Sequence, residues 1–506
     1  MLLSLLVIIP FFSGIFSFLS VKLKKCIPRY ISIIGIFLTL LVTIKIWFSG
    51  NFCISQVNHY PHWNYQCILH WMPRFGIDFH LAIDSFSIIM LFLTFFLGII
   101  SILCAWNEIK ENEGFFYFNL MLVLTGVIGV FIAVDLFLFF FFWEIILVPM
   151  YFLIALWGNN KHNKTSAIHA ANKFFIYSQI SGLIMLISIL LLVFSYYQNT
   201  HILTFNYDLL LFNILDPRTE YIIMLGFFVS FLIKMPIIPF HGWLSDFHAQ
   251  SSYCGSIDII GALFKIAPYA LFRYNMTLFP NVIQQISPIA MFLGLFSIFY
   301  GALLAFSQTN IKRLIAYASI SHMGLILIAI YSDNKVAFHG LVIQIISNSL
   351  STAALCILSG QIYKYFKTQN ILKMGGLWSN IYWIPAFSLF FALANAGVPG
   401  TGNFIGEFLI LFGIFQTYPI VSIIATISII FSSIYSLYMI QRIYYGPSRR
   451  DNVILSPNIK EFLISIILIF SLVFLGLMPQ KILNFSQDTI SSIYHFKKKF
   501  VNSISK

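Results

Sequence analysis

Charge is scarce in this sequence of 506 residues. Only 9% of its residues are Asp, Glu, Lys or Arg, against about a quarter in an ordinary soluble domain. So few charges cannot cover a water-exposed surface for a chain this long. That excludes a soluble enzyme, a disordered chain and a nucleic-acid binder. Cysteine is equally uninformative. Six are scattered at positions 26, 53, 67, 104, 254 and 356, with no C-x-x-C and no metal-ligand spacing. Cys104 and Cys356 lie in apolar runs and read as packing residues. Cys53 and Cys67 share a loop, where pairing on an oxidising side stays open. No phosphate loop, H-E-x-x-H or Ser/His/Asp order is present. Gly400-Thr-Gly402 follows no strand and is not a dinucleotide fingerprint.

What is abundant is apolar sequence, 59% of the chain, gathered into long blocks. Blocks of 18 or more apolar residues are membrane-spanning helices. About fourteen spans are expected, over 2–21, 30–49, 85–106, 114–134, 136–157, 173–197, 221–244, 254–274, 283–306, 314–331, 335–363, 382–415, 417–441 and 460–479. The fold class is therefore an all-α polytopic membrane protein, with little left over for a soluble domain. The first span lacks the basic start and small-residue cleavage site of a signal peptide, and reads as a retained helix with its N-terminus outside. With these spans, the loops on one side hold 15 Lys/Arg and those on the other only Arg74, Arg218 and Lys335. This is the asymmetry of the positive-inside rule. The tail conflicts with it, because Lys481, Lys497, Lys498, Lys499 and Lys506 fall outside.

Against this apolar background a few ionisable groups stand at mid-span: Glu144, Lys234, Lys265, His322 and Glu407. Each costs about 2.5–3.5 kcal/mol to insert and is a functional candidate by default. Lys45, Arg273 and Lys460 sit near span ends, where snorkelling accounts for them. A single structural ion pair would explain two of the five but not all. A row mixing carboxylate, ammonium and imidazole suits stepwise proton transfer. The backbone agrees. Pro236 and Pro239 should break the helix just after Lys234, and the run from Gly397 to Gly406 should break the overlong span before Glu407. Paired interruptions of this kind point to an ion path. Asp258 and Lys265 are seven residues apart, so an in-helix ion pair and a transfer role are both open for Lys265. His241 and His248 are expected to be solvated, and Asp135, about 13 Å along the helix from Glu144, belongs to its outer end.

Several segments resemble a known family. These are Phe141-Phe-Trp143-Glu144 with Leu147-Val-Pro149-Met150, Lys173-Phe-Phe-Ile-Tyr177, Lys234-Met-Pro236, Pro239-Phe-His241-Gly-Trp243, Lys312-Arg313 through His322-Met-Gly324, and Val398-Pro399-Gly400 through Glu407. Together they are similar to the antiporter-like, proton-pumping subunits of respiratory complex I (NADH:quinone oxidoreductase). Glutamate at 407, where sister subunits tend to have lysine, points to the subunit M type, called subunit 4 in mitochondria. The chain stops soon after span 14, so the long lateral helix of the largest such subunit is not expected.

The resemblance implies two inverted five-helix repeats, each containing a broken helix, over 114–274 and 283–441. Helices 1–3 (1–113) would precede them, and helix 14 with the tail (442–506) would follow. It implies that Glu144 and Lys234 form a pair controlling proton loading, that Lys265 and His322 link the halves, and that Glu407 is the terminal group. It further implies no cofactor or metal in this chain. NADH, FMN, iron–sulfur clusters and quinone belong to partner subunits. The expected partners are other complex I membrane subunits, especially neighbouring antiporter-like ones, with lipids and protons and without nucleic acid. The expected place is a bacterial inner membrane or, alternatively, the mitochondrial inner membrane. One departure is Asn348, where relatives are expected to carry histidine; an amide hydrogen-bonds but does not titrate, so either water fills that step or the histidine was never essential. Related cation/proton antiporter or membrane-hydrogenase subunits, and a non-transporting scaffold, remain as alternative readings.

Overall fold

A segment inside a bilayer must satisfy its own backbone hydrogen bonds, so apolar runs of this length fold as helices. The computed structural model describes residues 2–24, 26–50, 60–158, 164–252, 255–262, 265–379, 383–447 and 459–504. In chain order the helices are α1 Leu2–Ser20, α2 Ile27–Ser49, α3 Ser85–Ala105, α4 Glu113–Ile132, α5 Leu136–Ile145, α6 Leu147–Trp157, α7 Lys164–Thr200, α8 Tyr207–Leu210, α9 Pro217–Lys234 and α10 Gly242–Gln250. They continue with α11 Ser256–Ala262, α12 Ile266–Ala270, α13 Met276–Leu278, α14 Ile283–Ser307, α15 Ile311–Tyr331, α16 Lys335–Phe366, α17 Ile384–Asn395, α18 Gly402–Thr417, α19 Pro419–Tyr444, α20 Ile459–Leu477 and α21 Gln480–Ile504. Among the described residues, eleven spans are long and apolar enough to cross a membrane as single helices, with α5 and α6 counting as one. The others are crossed in pieces, by α9 with α10, by α11 to α13, and by α17 with α18. The fourteen expected spans are thereby accounted for. Helices α15 and α16 are buried nearly throughout, while α19 and α20 mostly face outward.

The breaks lie where proline and glycine place them. Helix α9 stops at Lys234, ahead of Pro236 and Pro239. Its loose end is repaired internally: Trp243 Nε1 donates to the Ile233 carbonyl at 2.9 Å and the Ile238 N–H to Ser297 Oγ at 3.1 Å. Helix α17 stops at Asn395, and Gly397 and Gly400 follow at φ +75° and +94°, backbone that L side chains adopt only under strain. A further interruption was not expected. Span 8 is divided, with Lys265 at the N-terminal cap of α12 and a π turn, Leu271–Asn275, after it.

The long loop after α2 contains a hairpin, β1 Tyr65–Met72 paired antiparallel with β2 Ile77–Ile83. The Cys53–Cys67 pairing that the sequence leaves open lies outside the described residues, because Cys53 does. Asp135 caps α5 through the N–H groups of Phe137 and Leu138 and also receives the Asp78 N–H, tying the hairpin to α5. Burial pushes its carboxyl up to about 6, against the pull of those N–H donors. Arg273, expected to snorkel, is instead buried and paired with Asp84, with Trp63 and Tyr269 rings against its guanidinium. The buried guanidinium is compensated by a counter-ion, the Asp84 carboxylate that caps α3.

The basic tail folds as the amphipathic helix α21, which was not expected as an element. Lys497 pairs with Asp333 at 3.0 Å, Phe496 meets Tyr60 at 5.1 Å between centroids, and His495 Nε2 lies 3.0 Å from Lys335. The tail therefore shares the hairpin's end of the molecule, as an even number of spans requires. Its charge conflict is eased locally, by Asp333 and by rings under Lys481 and Lys498.

Candidate functional site

Four of the five mid-span groups, and the capping Lys265, ride on helices that touch one after another: α5 against α7, α7 against α9, α9 against α12, α12 against α15, and α15 against α18. In the first half, Glu144 is near the end of α5. Its Oε1 is buried, has no hydrogen-bond partner among the described residues, and occupies the space where Gly182 of α7 would carry a Cβ. Lys234, fully buried, closes α9. Its ammonium donates to Ser178 Oγ of α7 at 3.3 Å and lies 5.6 Å from the Trp143 ring and 5.3 Å from the Phe174 ring. Each charge lies in the other's field. Among the described residues, however, Glu144 makes no ion pair within 4.0 Å. The pair is present but open.

Lys265 follows, buried, with its ammonium 3.9 Å from Met323 Sδ on α15. Beside Met323 on α15 is His322, whose Nδ1 is 3.2 Å from Glu407 Oε1 and whose Nε2 is 3.4 Å from the Tyr435 hydroxyl. Gln344 Nε2 also donates to Glu407 Oε1, at 3.3 Å. Here the carboxylate is closed onto its partner, and Glu407 Oε2 rests against Gly397, where a Cβ would stand 2.7 Å away.

Below Glu407, α16 presents Gln344, Asn348, Ser351 and Thr352 on one face, at helical spacing. Asn348 is wholly buried. Its Oδ1 accepts from Thr352 Oγ1 at 3.0 Å, and Asn403 Nδ2 donates to Ser351 Oγ at 3.3 Å. Gln344 Oε1, Ser347 Oγ, Asn348 Nδ2 and Asn403 Oδ1 are buried without protein partners among the described residues. Buried polar atoms gathered like this are the kind that ordered water satisfies.

Two sequence expectations are overturned. His248 is not solvated; it is buried, with Nδ1 2.7 Å from Asp258 Oδ1. Asp258 does not serve Lys265. It holds Lys312 Nζ at 2.7 Å, a lysine that also donates to Ser251 Oγ and the Ser252 carbonyl at 2.9 Å. The spacing of seven puts two residues on one face only along an unbroken helix; Lys265 instead caps α12, and Asp258 on α11 turns to Lys312. His248, Asp258 and Cys356 lie close enough for metal ligation, yet the Lys312 ammonium already fills the cationic position facing Asp258. The sequence reading missed Ser178, Gly182, Gln344 and Tyr435. The amides had a signal, Gln344 and Asn348 four residues apart in an apolar run, as are Asn403 and Glu407. Gly182 had none, since a glycine in a membrane helix is common.

The family described as NADH:quinone oxidoreductase/Mrp antiporter, transmembrane, matches residues 133–432. The chain is 69% identical over 499 residues to NADH-quinone oxidoreductase subunit M of Buchnera aphidicola subsp. Schizaphis graminum, covering 99% of this chain and all of that protein. It is 48% identical over 508 residues to the protein of the same name from Escherichia coli K12, covering 100% and 99%. Its structure is similar to a chain of respiratory complex I from Thermus thermophilus with bound NADH, at a TM-score of 0.86 and 25% identity, covering 98% of this chain and 99% of that one.

Proposed function

The chain belongs to the NADH:quinone oxidoreductase/Mrp antiporter transmembrane family, and on that premise we propose that it is the proton-translocating subunit M of a complex I. Of the two branches in the family's description, its full-length relatives at 48% and 69% identity carry the oxidoreductase name. Protons move along the row Glu144, Lys234, Lys265, His322 and Glu407. Redox chemistry with NADH, flavin, iron–sulfur clusters and quinone takes place in other subunits. The two halves, 114–274 and 283–441, are inverted repeats, and the broken helix of the first carries Lys234 while that of the second carries Glu407. The partners are other membrane subunits of the complex, with antiporter-like ones as neighbours, in a bacterial inner membrane.

The observation that carries this reading is the continuity of the row. Five ionisable groups sit on successively touching helices, and the row ends among buried polar atoms that water would bridge. Imidazole suits the position before Glu407, because it takes a proton at one ring nitrogen and gives one from the other. His322 has a carboxylate at Nδ1 and a hydroxyl at Nε2. With the pair open, Glu144 and Lys234 do not have to break an ion pair with each other before either changes its charge, and the Lys234 ammonium keeps its bond to Ser178.

The test is Glu144→Gln in the complex purified from native membrane and returned to vesicles. Proton uptake driven by NADH is expected to fall by roughly a hundredfold, the scale of a positioned proton-transfer group. Assembly and NADH oxidation by a soluble acceptor stay normal. Normal pumping by that assembled variant contradicts the proposal.

A further inference from the structure

Helix α7 carries no member of the row, yet it touches both ends of the first pair. Ser178 accepts from the Lys234 ammonium at 3.3 Å. One turn further on, the backbone of Gly182 makes room for the Glu144 carboxylate, whose Oε1 sits where a Cβ would be. Residues four apart stack along a helix, about 6 Å apart on its axis. Between these two contacts, Ser181 and Ser230 exchange hydrogen bonds, Ser181 Oγ to the Ser230 carbonyl at 2.9 Å and Ser230 Oγ to the Ser181 carbonyl at 2.7 Å, which fixes α7 against α9.

We infer that α7 is a spacer that holds the Glu144–Lys234 pair open, with Ser178 seating the ammonium and Gly182 seating the carboxylate, so that Gly182 is a positioning residue for proton transfer. The inference rests on the proton-relay reading given above. Nothing in the helix itself calls for glycine here. Gly182 lies deep inside α7, where alanine is the better helix former, and no positive φ is involved. The feature that alanine would disturb is the carboxylate resting on the Cα. A methyl at 182 displaces Oε1, and the charge of Lys234 draws the displaced carboxylate toward it. The pair then closes, and a closed pair must be broken before either group exchanges a proton.

Gly182→Ala separates this role from folding. The group the methyl meets is the far end of a flexible side chain, so α7 keeps its place and the complex assembles. Pumping is expected to fall, by up to about a hundredfold for a displacement of about an ångström or more, while NADH oxidation by a soluble acceptor is unchanged. Adding Glu144→Asp, which shortens the side chain by one methylene and withdraws it from the methyl, should restore much of the pumping lost by Gly182→Ala alone. Two results overturn the inference: Gly182→Ala pumping like the native complex while Glu144→Gln does not, or a loss of pumping or assembly that Glu144→Asp fails to repair. Normal pumping by Glu144→Gln instead removes the relay reading beneath it.

Discussion

The two halves of this protein use the same parts in opposite states. Each has a carboxylate resting on a glycine, Glu144 on Gly182 and Glu407 on Gly397, and each has a nitrogen base as partner on a nearby helix, Lys234 or His322. In the first half the carboxylate and Lys234 make no ion pair, the ammonium resting on Ser178 and the carboxylate on Gly182 of α7. In the second, Glu407 is closed onto His322 and Gln344, and its helix borders a face of buried amides and hydroxyls. A row made only of closed pairs would be a set of structural ties, since a buried ion pair resists separation. A row made only of open ones would leave several buried charges uncompensated. One open and one closed site give a path two inequivalent resting places for a proton. The first half should therefore be sensitive to spacing, and the second to wetness.

The larger of the two effects that sharpen this contrast belongs to Asn348. An amide holds water through both its donor and its acceptor. Asn348→Leu removes that hold in a face with four buried unpartnered atoms, and pumping should drop about tenfold or more. Asn348→His should stay near normal, because imidazole also binds water. The Asn348 amide oxygen is bonded to Thr352 of its own helix, so its replacement unties no neighbouring helix and assembly is little affected. Equal pumping by all three proteins, measured in vesicles, would show that protons bypass this face.

A smaller effect concerns stability and the outer anchor of α5. The Asp135 carboxyl, pushed up to about 6 from 3.8 by burial, binds its proton more tightly in the folded chain. Its stabilising contribution is therefore complete below about pH 4 and is lost as pH rises through about 6, a change on the order of 3 kcal/mol. Asparagine keeps the capping oxygen and removes the charge. Asp135→Asn should flatten the pH dependence of thermal unfolding between about pH 4 and 7, raise the midpoint at about pH 7.5, and leave pumping unchanged. An unaltered pH profile would mean that the outer anchor of the first half is not strained by charge.

Much of this was readable from the residues. The spans follow from runs of apolar side chains long enough to cross a bilayer. The breaks after Lys234 and before Glu407 follow from proline and glycine, whose backbone rules are local. What depends on tertiary contact was less legible. His248 reads as a loop histidine until Asp258 and Lys312 are brought around it. Arg273 reads as a snorkelling end residue until Asp84 meets it from the start of α3, far away in sequence. The tail reads as misplaced positive charge until its helix packs Ile490 and Ile493 inward. The glycine seats of both carboxylates were invisible, since the reason for a missing side chain lies in the atom that occupies its place.

The central claim is that the two halves form one path, joined at Lys265. Lys265 is buried, its described neighbour is the Met323 thioether, and it stands between the open pair and the closed one. The direct measurement is the number of protons pumped per NADH oxidised by the complex in sealed vesicles, comparing Lys265→Met with the native protein. Methionine fills similar space without a titratable group, so packing is kept. One continuous path predicts that this variant falls as far as Glu144→Gln. A variant that keeps its full proton yield, or loses clearly less than Glu144→Gln does, would contradict the claim and make each half a separate conductor.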